Sequence, residues 1–227
     1  VNMVVSDDEG HLVRPSCGGS KICVVPNGVD IGYFTPRPDP GGHRLLFCGR
    51  LDQLANKGAI SYFFDSIWPE LSASMKDLQI DVVGKNPPSW LLELSQRDSR
   101  VKVPGFVDDV RPYFQKATVF VCPITDGGGT RLKILDALAM GMPVVTTTFA
   151  ASGLALLDGQ HLLMADTSHD FIQKTMRLLS DKILRQLLAG NALGVIRQIY
   201  SWETIGQSLV KAYAEAAGKL EVVGRTL

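Results

Sequence analysis

Thr125-Asp126-Gly127-Gly128-Gly129-Thr130-Arg131-Leu132-Lys133-Ile134-Leu135-Asp136-Ala137-Leu138-Ala139-Met140-Gly141-Met142-Pro143 lies between two apolar runs, Thr118-Val119-Phe120-Val121-Cys122 and Pro143-Val144-Val145-Thr146. Both runs are short and rich in β-branched residues, so they read as buried strands. Between them Leu132, Leu135, Ala139 and Met140 recur at helical spacing, and Gly141 ends the run before Pro143. Three consecutive glycines therefore stand where a strand hands over to a helix. Glycine permits close approach and positive φ. Free N–H groups and the positive end of a helix dipole at such a corner attract anions. Arg131 and Lys133 add two cations to the first helical turn, where a cation opposes the dipole. A bound anion would compensate both. Spacing alone leaves two readings open: an anion cradle, and a flexible loop beside two solvated cations.

Working outward, the same rhythm repeats. Arg44 to Cys48 and Leu78 to Val83 read as strands, and Val101-Lys102-Val103 as a short one. Ala59 to Leu71 carries Ile60, Phe63, Phe64, Ile67 and Leu71 at helical spacing. Gly49 to Gly58 reads as a polar loop before it. Pro87-Pro88 opens a short helix through Gln96. Asp108 or Asp109 caps another helix ending at Lys116. His161 to Met164 is a further strand. The last third reads as helices over Asp170–Leu179, Asp181–Gln198 and Trp202–Ala217, with Thr167, Ser180 and Ser201 as N-caps. Near the start, Val1 to Val5 and Ile22 to Pro26 read as strands, Ser6-Asp7-Asp8 as a turn or cap, and residues 14–20 as a loop or linker. Alternating strands and helices predict an α/β fold with a doubly wound, parallel, Rossmann-like sheet. Ligands bind such sheets outside the carboxyl ends of the strands. Residues 49–58, 104–107 and 126–130 all lie at such ends, so they are expected to converge on one cleft. Neither G-x-G-x-x-G nor a Walker A sequence occurs.

The chain has 227 residues, 23 of them Lys or Arg and 23 Asp or Glu. Its size allows one domain with a large core, or one domain and part of a second. Balanced charge argues against a broad nucleic-acid surface and for local electrostatics. No apolar run reaches the ~18 residues needed to span a bilayer. The four cysteines, Cys17, Cys23, Cys48 and Cys122, show no C-x-x-C spacing. A reduced, cytoplasmic setting without a cysteine metal site follows as the simplest expectation. The histidines (His11, His43, His161 and His169) have neither triad nor metal spacing.

The ordered segments resemble the C-terminal half of group 1 retaining nucleotide-sugar glycosyltransferases of the GT-B class. The pieces are Val25-Pro26-Asn27-Gly28-Val29-Asp30; Phe47-Cys48-Gly49-Arg50-Leu51 with Lys57-Gly58; Val82-Val83-Gly84; Val103-Pro104-Gly105-Phe106-Val107-Asp108-Asp109; and Gly129 through Val145. Each piece alone is weak, and their order over roughly Lys21 to Ala217 is specific. The resemblance implies a donor-binding domain over 21–200. It makes residues 1–20 a remnant of an N-terminal acceptor domain or linker. Residues 201–227 become a helix and tail that cross back to that domain. It implies catalytic roles for Arg50 and Lys57 in neutralising the diphosphate of an NDP-sugar. Amides at Gly128, Gly129 and Thr130, with Arg131 and Lys133, would bind the same diphosphate. The segment Pro104 to Val107, with Gly105, Phe106 and Val107, would lie against the nucleobase, Gly49 would belong to the donor site, and Asp136 would accept from the ribose hydroxyls. The implied donor is a nucleotide-sugar, used with retention, without a metal and without a further cofactor. The remaining partner would be the N-terminal domain, the full-length enzyme is expected to associate peripherally with membranes, and the isolated domain is expected to be inactive.

Two departures stand out. The family's better-known pattern has two glutamates with seven residues between them; here the second is Asp136, and Gly128 occupies the place of the first. Simpler roles also exist for single residues. Arg50 could pair with a nearby carboxylate, Lys57, Arg131 and Lys133 could be surface charges, Asp136 could hydrogen-bond to backbone, and Asp126 could only shape the loop. A GT-B-fold sugar-nucleotide epimerase and a non-catalytic nucleotide-binding module are the competing functions.

Overall fold

The computed structural model describes residues 2–217. Two short parallel strands, β1 (Asn2–Val4) and β2 (Ile22–Val24), flank helix α1 (Asp7–Val13) and form a sheet of their own. Ser6 caps α1 by accepting from the Glu9 N–H, and the Glu9 carboxylate accepts from the Val5 N–H at 2.8 Å. After a long connection the main unit begins with β3 (Arg44–Cys48). There follow α2 (Leu54–Ser66), α3 (Trp68–Ser74), β4 (Gln79–Val83), α4 (Ser89–Arg97), β5 (Val101–Gly105), α5 (Arg111–Lys116), β6 (Val119–Cys122), α6 (Leu132–Ala139), β7 (Val144–Thr146), α7 (Thr148–Ala151), β8 (Leu163–Met164), α8 (Ser168–Ser180), α9 (Lys182–Val195) and α10 (Trp202–Ala216).

The second sheet has the order β5-β4-β3-β6-β7-β8, and every neighbouring pair is parallel. The chain therefore winds outward from β3 to β5, then restarts at β6 on the other side of β3. The switch point lies between the carboxyl ends of β3 and β6, which in such sheets is the ligand crevice. Leu45, Leu46, Val82, Phe120, Val121, Val144 and Val145 are fully buried. Burial on both faces explains why these strands are apolar throughout rather than alternating. The expected doubly wound α/β architecture is the one observed.

Several boundaries differ from expectation. The helix anticipated from Ala59 begins at Leu54, so Lys57 and Gly58 lie on α2 and not in a loop. The Asn56 side chain folds back to the Arg50 carbonyl at 2.7 Å and satisfies that loop end. The same helix, anticipated as continuous to Leu71, breaks at Ile67, because Pro69 near the start of α3 has no N–H to donate into a continuing helix. Asp181, rather than Ser180, caps α9 through the Leu184 N–H at 2.9 Å, since Ser180 is still the last residue of α8. Helix α7 was not anticipated.

Helix α10 returns toward the small sheet: Ser201 bridges to Val29, and Lys21 pairs with Glu215. It leaves Trp202, Val210 and Tyr213 between 55% and 69% exposed. Residues 218–227 of the anticipated tail lie outside the described residues. No described helix is long and apolar enough to cross a membrane.

Candidate functional site

Two loops leave the switch point, one from β3 through Gly49 and Arg50, the other from β6 through Asp126 to Thr130. Both require glycine. A Cβ on Gly84 would lie 1.7 Å from the Gly49 carbonyl oxygen, and one on Gly49 would lie 2.5 Å from Lys133 Nζ. The β3 and β4 ends can approach each other, and Lys133 can pass beneath them, only without side chains at these positions.

The glycine loop packs on the first turns of α2. A Cβ on Gly127 would meet the Ala55 methyl at 2.9 Å, and a Cβ on Gly58 would come within 3.9 Å of Asp126 Oδ1. Segments about seventy residues apart thus share one corner. Lys57 is exposed on that stretch of α2 and forms no ion pair among the described residues. Arg50 is also exposed, and its guanidinium pairs with Asp52, Nη2 to Oδ2 at 3.1 Å. Asp52 also accepts from Asn86 Nδ2 at 2.8 Å. The Arg50 hydrogen bond, helped by Asn86, holds the Asp52 carboxyl down at about 2. Water screens an exposed pair of this kind, so a phosphate can displace it.

Beside Arg50 lies a pocket of about 370 Å³ lined by Cys48, Gly49, Val83, Gly84, Phe106, Val107 and Val110. Phe106 is 67% exposed at its rim. Gly105 does not line it; its carbonyl accepts from the Gly84 N–H at 2.9 Å and so ties the β4 and β5 ends together. A second hollow of about 310 Å³ lies on the glycine loop, lined by Gly127 to Arg131, by Ser6, Asp8 and Leu12 near α1, and by Phe149 of α7.

The two cations at the start of α6 are both compensated within the protein. Lys133 donates to Asn56 Oδ1 at 2.6 Å and lies 4.5 Å from the Phe47 ring centroid. Burial lowers its pKa. Arg131 turns into its own loop and donates to the carbonyls of Asp126, Gly127, Gly128 and Gly129. Neither is the solvated surface charge of the simpler reading. One turn further along α6, Asp136 is half-buried, and its carboxyl has no hydrogen-bond partner among the described residues. Burial pushes its pKa up to about 7 against the opposing pull of Lys133. Burial likewise pushes the Cys48 thiol up to about 12, which leaves it an inert apolar group.

Direct contacts join Gly49 to Lys133 and Asn56, and set Asp126 and Gly127 against Gly58 and Ala55 of the α2 turn that carries Lys57; Gly128, Gly129, Thr130 and Arg131 line the hollow on the glycine loop, and Arg50, Phe106 and Val107 line the other pocket. Asn56 belongs to this site and escaped the sequence reading. With α2 starting at Leu54, Asn56 falls on the buried face with Ala59, Ile60 and Phe63, at helical spacing. Asp52, Asn86 and Phe149 were also missed. No group of three or more His, Cys, Asp or Glu among the described residues could hold a metal ion.

The family model described as "Glycosyl transferases group 1" matches residues 42–181, more than half of the chain. The phosphatidyl-myo-inositol mannosyltransferase of Mycobacterium leprae is 26% identical over 209 residues, covering 88% of this chain and 55% of the relative. The D-inositol 3-phosphate glycosyltransferase of Actinosynnema mirum is 26% identical, covering 87% and 52%. This chain spans about half the length of these relatives. The crystal structure of Anabaena HepE with UDP and glucose superposes with a TM-score of 0.74 at 17% identity, covering 93% of this chain and 62% of HepE. At that identity the likeness is one of fold.

Proposed function

The chain belongs to the group 1 glycosyltransferases, and from that premise we propose that it is the donor-binding part of a longer enzyme. That enzyme transfers a sugar from a nucleoside diphosphate sugar to an acceptor, with retention of configuration and without a metal. The observation that carries this reading is the meeting of three segments at the β3–β6 switch point: Gly49–Arg50, the Lys57 turn of α2, and residues 126–130. The nucleobase occupies the apolar pocket at Phe106 and Val107. The ribose hydroxyls donate to Asp136. The diphosphate lies between Arg50, Lys57 and the glycine-loop amides.

In such a transfer the bond from the anomeric carbon to the diphosphate oxygen breaks, and negative charge builds on the leaving group. Arg50 releases Asp52 and takes up that charge together with Lys57 and the amides. Arg50 leaves Asp52 as the donor binds, before the bond breaks, so little reorganisation is needed as charge develops. The acceptor is held by a domain outside this chain, in keeping with the share of its relatives that the chain spans. The complex of HepE with UDP and glucose supports a nucleotide-sugar as donor for this fold.

Titration calorimetry of the 227-residue chain with UDP, GDP and ADP in EDTA tests the reading. Saturable binding of at least one is expected, and silence with all three overturns it. Product analysis with the full-length enzyme separates transfer from epimerisation.

A further inference from the structure

Arg131 carries an arrangement that charge neutralisation alone does not explain. Its Nη1 donates to the Gly128 and Gly129 carbonyls, each at 2.5 Å, and its Nη2 to those of Asp126 and Gly127 at 3.1 and 2.6 Å. Four consecutive carbonyls converge on one guanidinium. Its face lies 5.7 Å from the Phe149 ring centroid, and its Nε is buried without a partner.

A trans peptide holds its N–H opposite its C=O. Turning the carbonyls of residues 126–129 inward therefore turns the N–H groups of residues 127–130 away from the guanidinium. None of those four amides donates to any acceptor among the described residues. Left to itself, a loop with free amides on one side would hold free carbonyls on the other, and their negative ends would mobilise the loop or repel an anion. The guanidinium removes that option, since its fixed fork can hold several acceptors at once. A lysine ammonium has no such planar fork.

We propose that Arg131 is a positioning residue. It everts the glycine loop so that the amides of Gly127, Gly128, Gly129 and Thr130 face outward as an anion receptor, and Phe149 clamps the guanidinium in place. Arg131 does not itself touch the anion. The proposal rests on the donor-binding reading for the identity of that anion, a diphosphate, and stands apart from it for the shape of the loop.

The test uses Arg131→Lys, Arg131→Met and Phe149→Leu in the 227-residue chain. In ligand-free protein, Arg131→Lys is expected to shift and broaden the amide resonances of residues 127–130 in an ¹⁵N–¹H spectrum while leaving the β3 and β6 amides in place. It is expected to weaken UDP, GDP or ADP binding about tenfold or more, close to the loss in Arg131→Met, because a conserved charge does not restore the loop. Phe149→Leu should show the same spectral change in weaker form. If Arg131→Lys keeps both the wild-type loop spectrum and wild-type affinity, while Arg131→Met loses affinity, Arg131 is a direct phosphate ligand and the proposal is overturned. Should the wild-type chain bind no nucleotide, the donor-binding reading fails, and the ligand-free spectra still decide the role of Arg131.

Discussion

Lys133 Nζ donates to Asn56 Oδ1 at 2.6 Å, joining the helix after the glycine loop to the helix that carries Lys57. Asn56 in turn donates to the Arg50 carbonyl at 2.7 Å. One amide side chain thus sets the spacing of the two loops that border the switch point. Without it the buried ammonium keeps only the Phe47 ring. Asn56→Ala should cost about 1–3 kcal/mol of stability, the penalty for leaving a buried polar group unmade. Adding Lys133→Met should recover part of that loss. Urea unfolding of the single and double variants measures the coupling; strict additivity would show that the two side chains do not depend on one another.

How much of this was legible in the sequence depended on how apolar each segment is. Strands β3, β4, β6 and β7 announce themselves because burial on both faces demands unbroken apolar, β-branched runs. The glycine loop is legible because Gly127, Gly128 and Gly129 stand at a strand-to-helix change. The start of α2 is not, because residues 49–58 carry polar side chains whose partners lie on other elements. Asn56 looks like loop filler until the helical register is known. Arg131 and Lys133 show only their charge in the sequence. Their partners, loop carbonyls and Asn56, are properties of the fold. Helix α1 was within reach through Ser6 and Glu9 at capping spacing, but seven residues with little apolar periodicity hid it.

Asp136 predicts a pH dependence with a definite sign. Burial raises its carboxyl to about 7 in the folded chain, above its unfolded value. Between those two values the folded state holds the proton more tightly. Its contribution to stability is therefore fully present below the unfolded pKa and is lost as pH rises through about 7. Asp136→Asn should be more stable than wild type at pH 8, by on the order of 2–3 kcal/mol, with the gap closing below pH 4. Thermal unfolding across that range gives the answer, and an unchanged gap would mean that Asp136 is ionised throughout.

The same group sets the pH dependence of binding. If the ribose hydroxyls donate to Asp136, its ionised form is the better acceptor. Affinity for the nucleotide should then rise between pH 6 and 8, with proton release on binding. Calorimetry in buffers of different ionisation enthalpy detects that release. Affinity that falls over the same range would remove Asp136 from the ribose site.

Arg50 and Lys57 differ in what they give up to bind an anion. Lys57 has no ion-pair partner among the described residues, so Lys57→Ala should weaken nucleoside diphosphate binding by about 1.5–3 kcal/mol. Arg50 must first leave Asp52. Asp52→Asn removes the competitor and should tighten binding by about a few-fold. Titrations of the two variants check this, and weaker binding by Asp52→Asn would assign Asp52 a supporting role instead.

Gly84→Ala tests the closeness of the β3 and β4 ends. Its methyl would meet the Gly49 carbonyl oxygen at 1.7 Å, a distance no rotamer relieves. The strands must part, at about 1–3 kcal/mol or more. Nucleotide affinity should fall with stability, because Gly49, Arg50 and the Phe106 pocket move together. Full affinity in a destabilised Gly84→Ala chain would separate the pocket from the site.

The most direct measurement is a crystal structure of the chain with the nucleoside diphosphate that binds it. The account places the diphosphate within hydrogen-bond reach of the amides of residues 127–130, of Lys57 Nζ, and of an Arg50 guanidinium released from Asp52, with the base against Phe106 and Val107. A diphosphate bound elsewhere, with the Arg50–Asp52 pair intact and the glycine-loop amides still without acceptors, would contradict it.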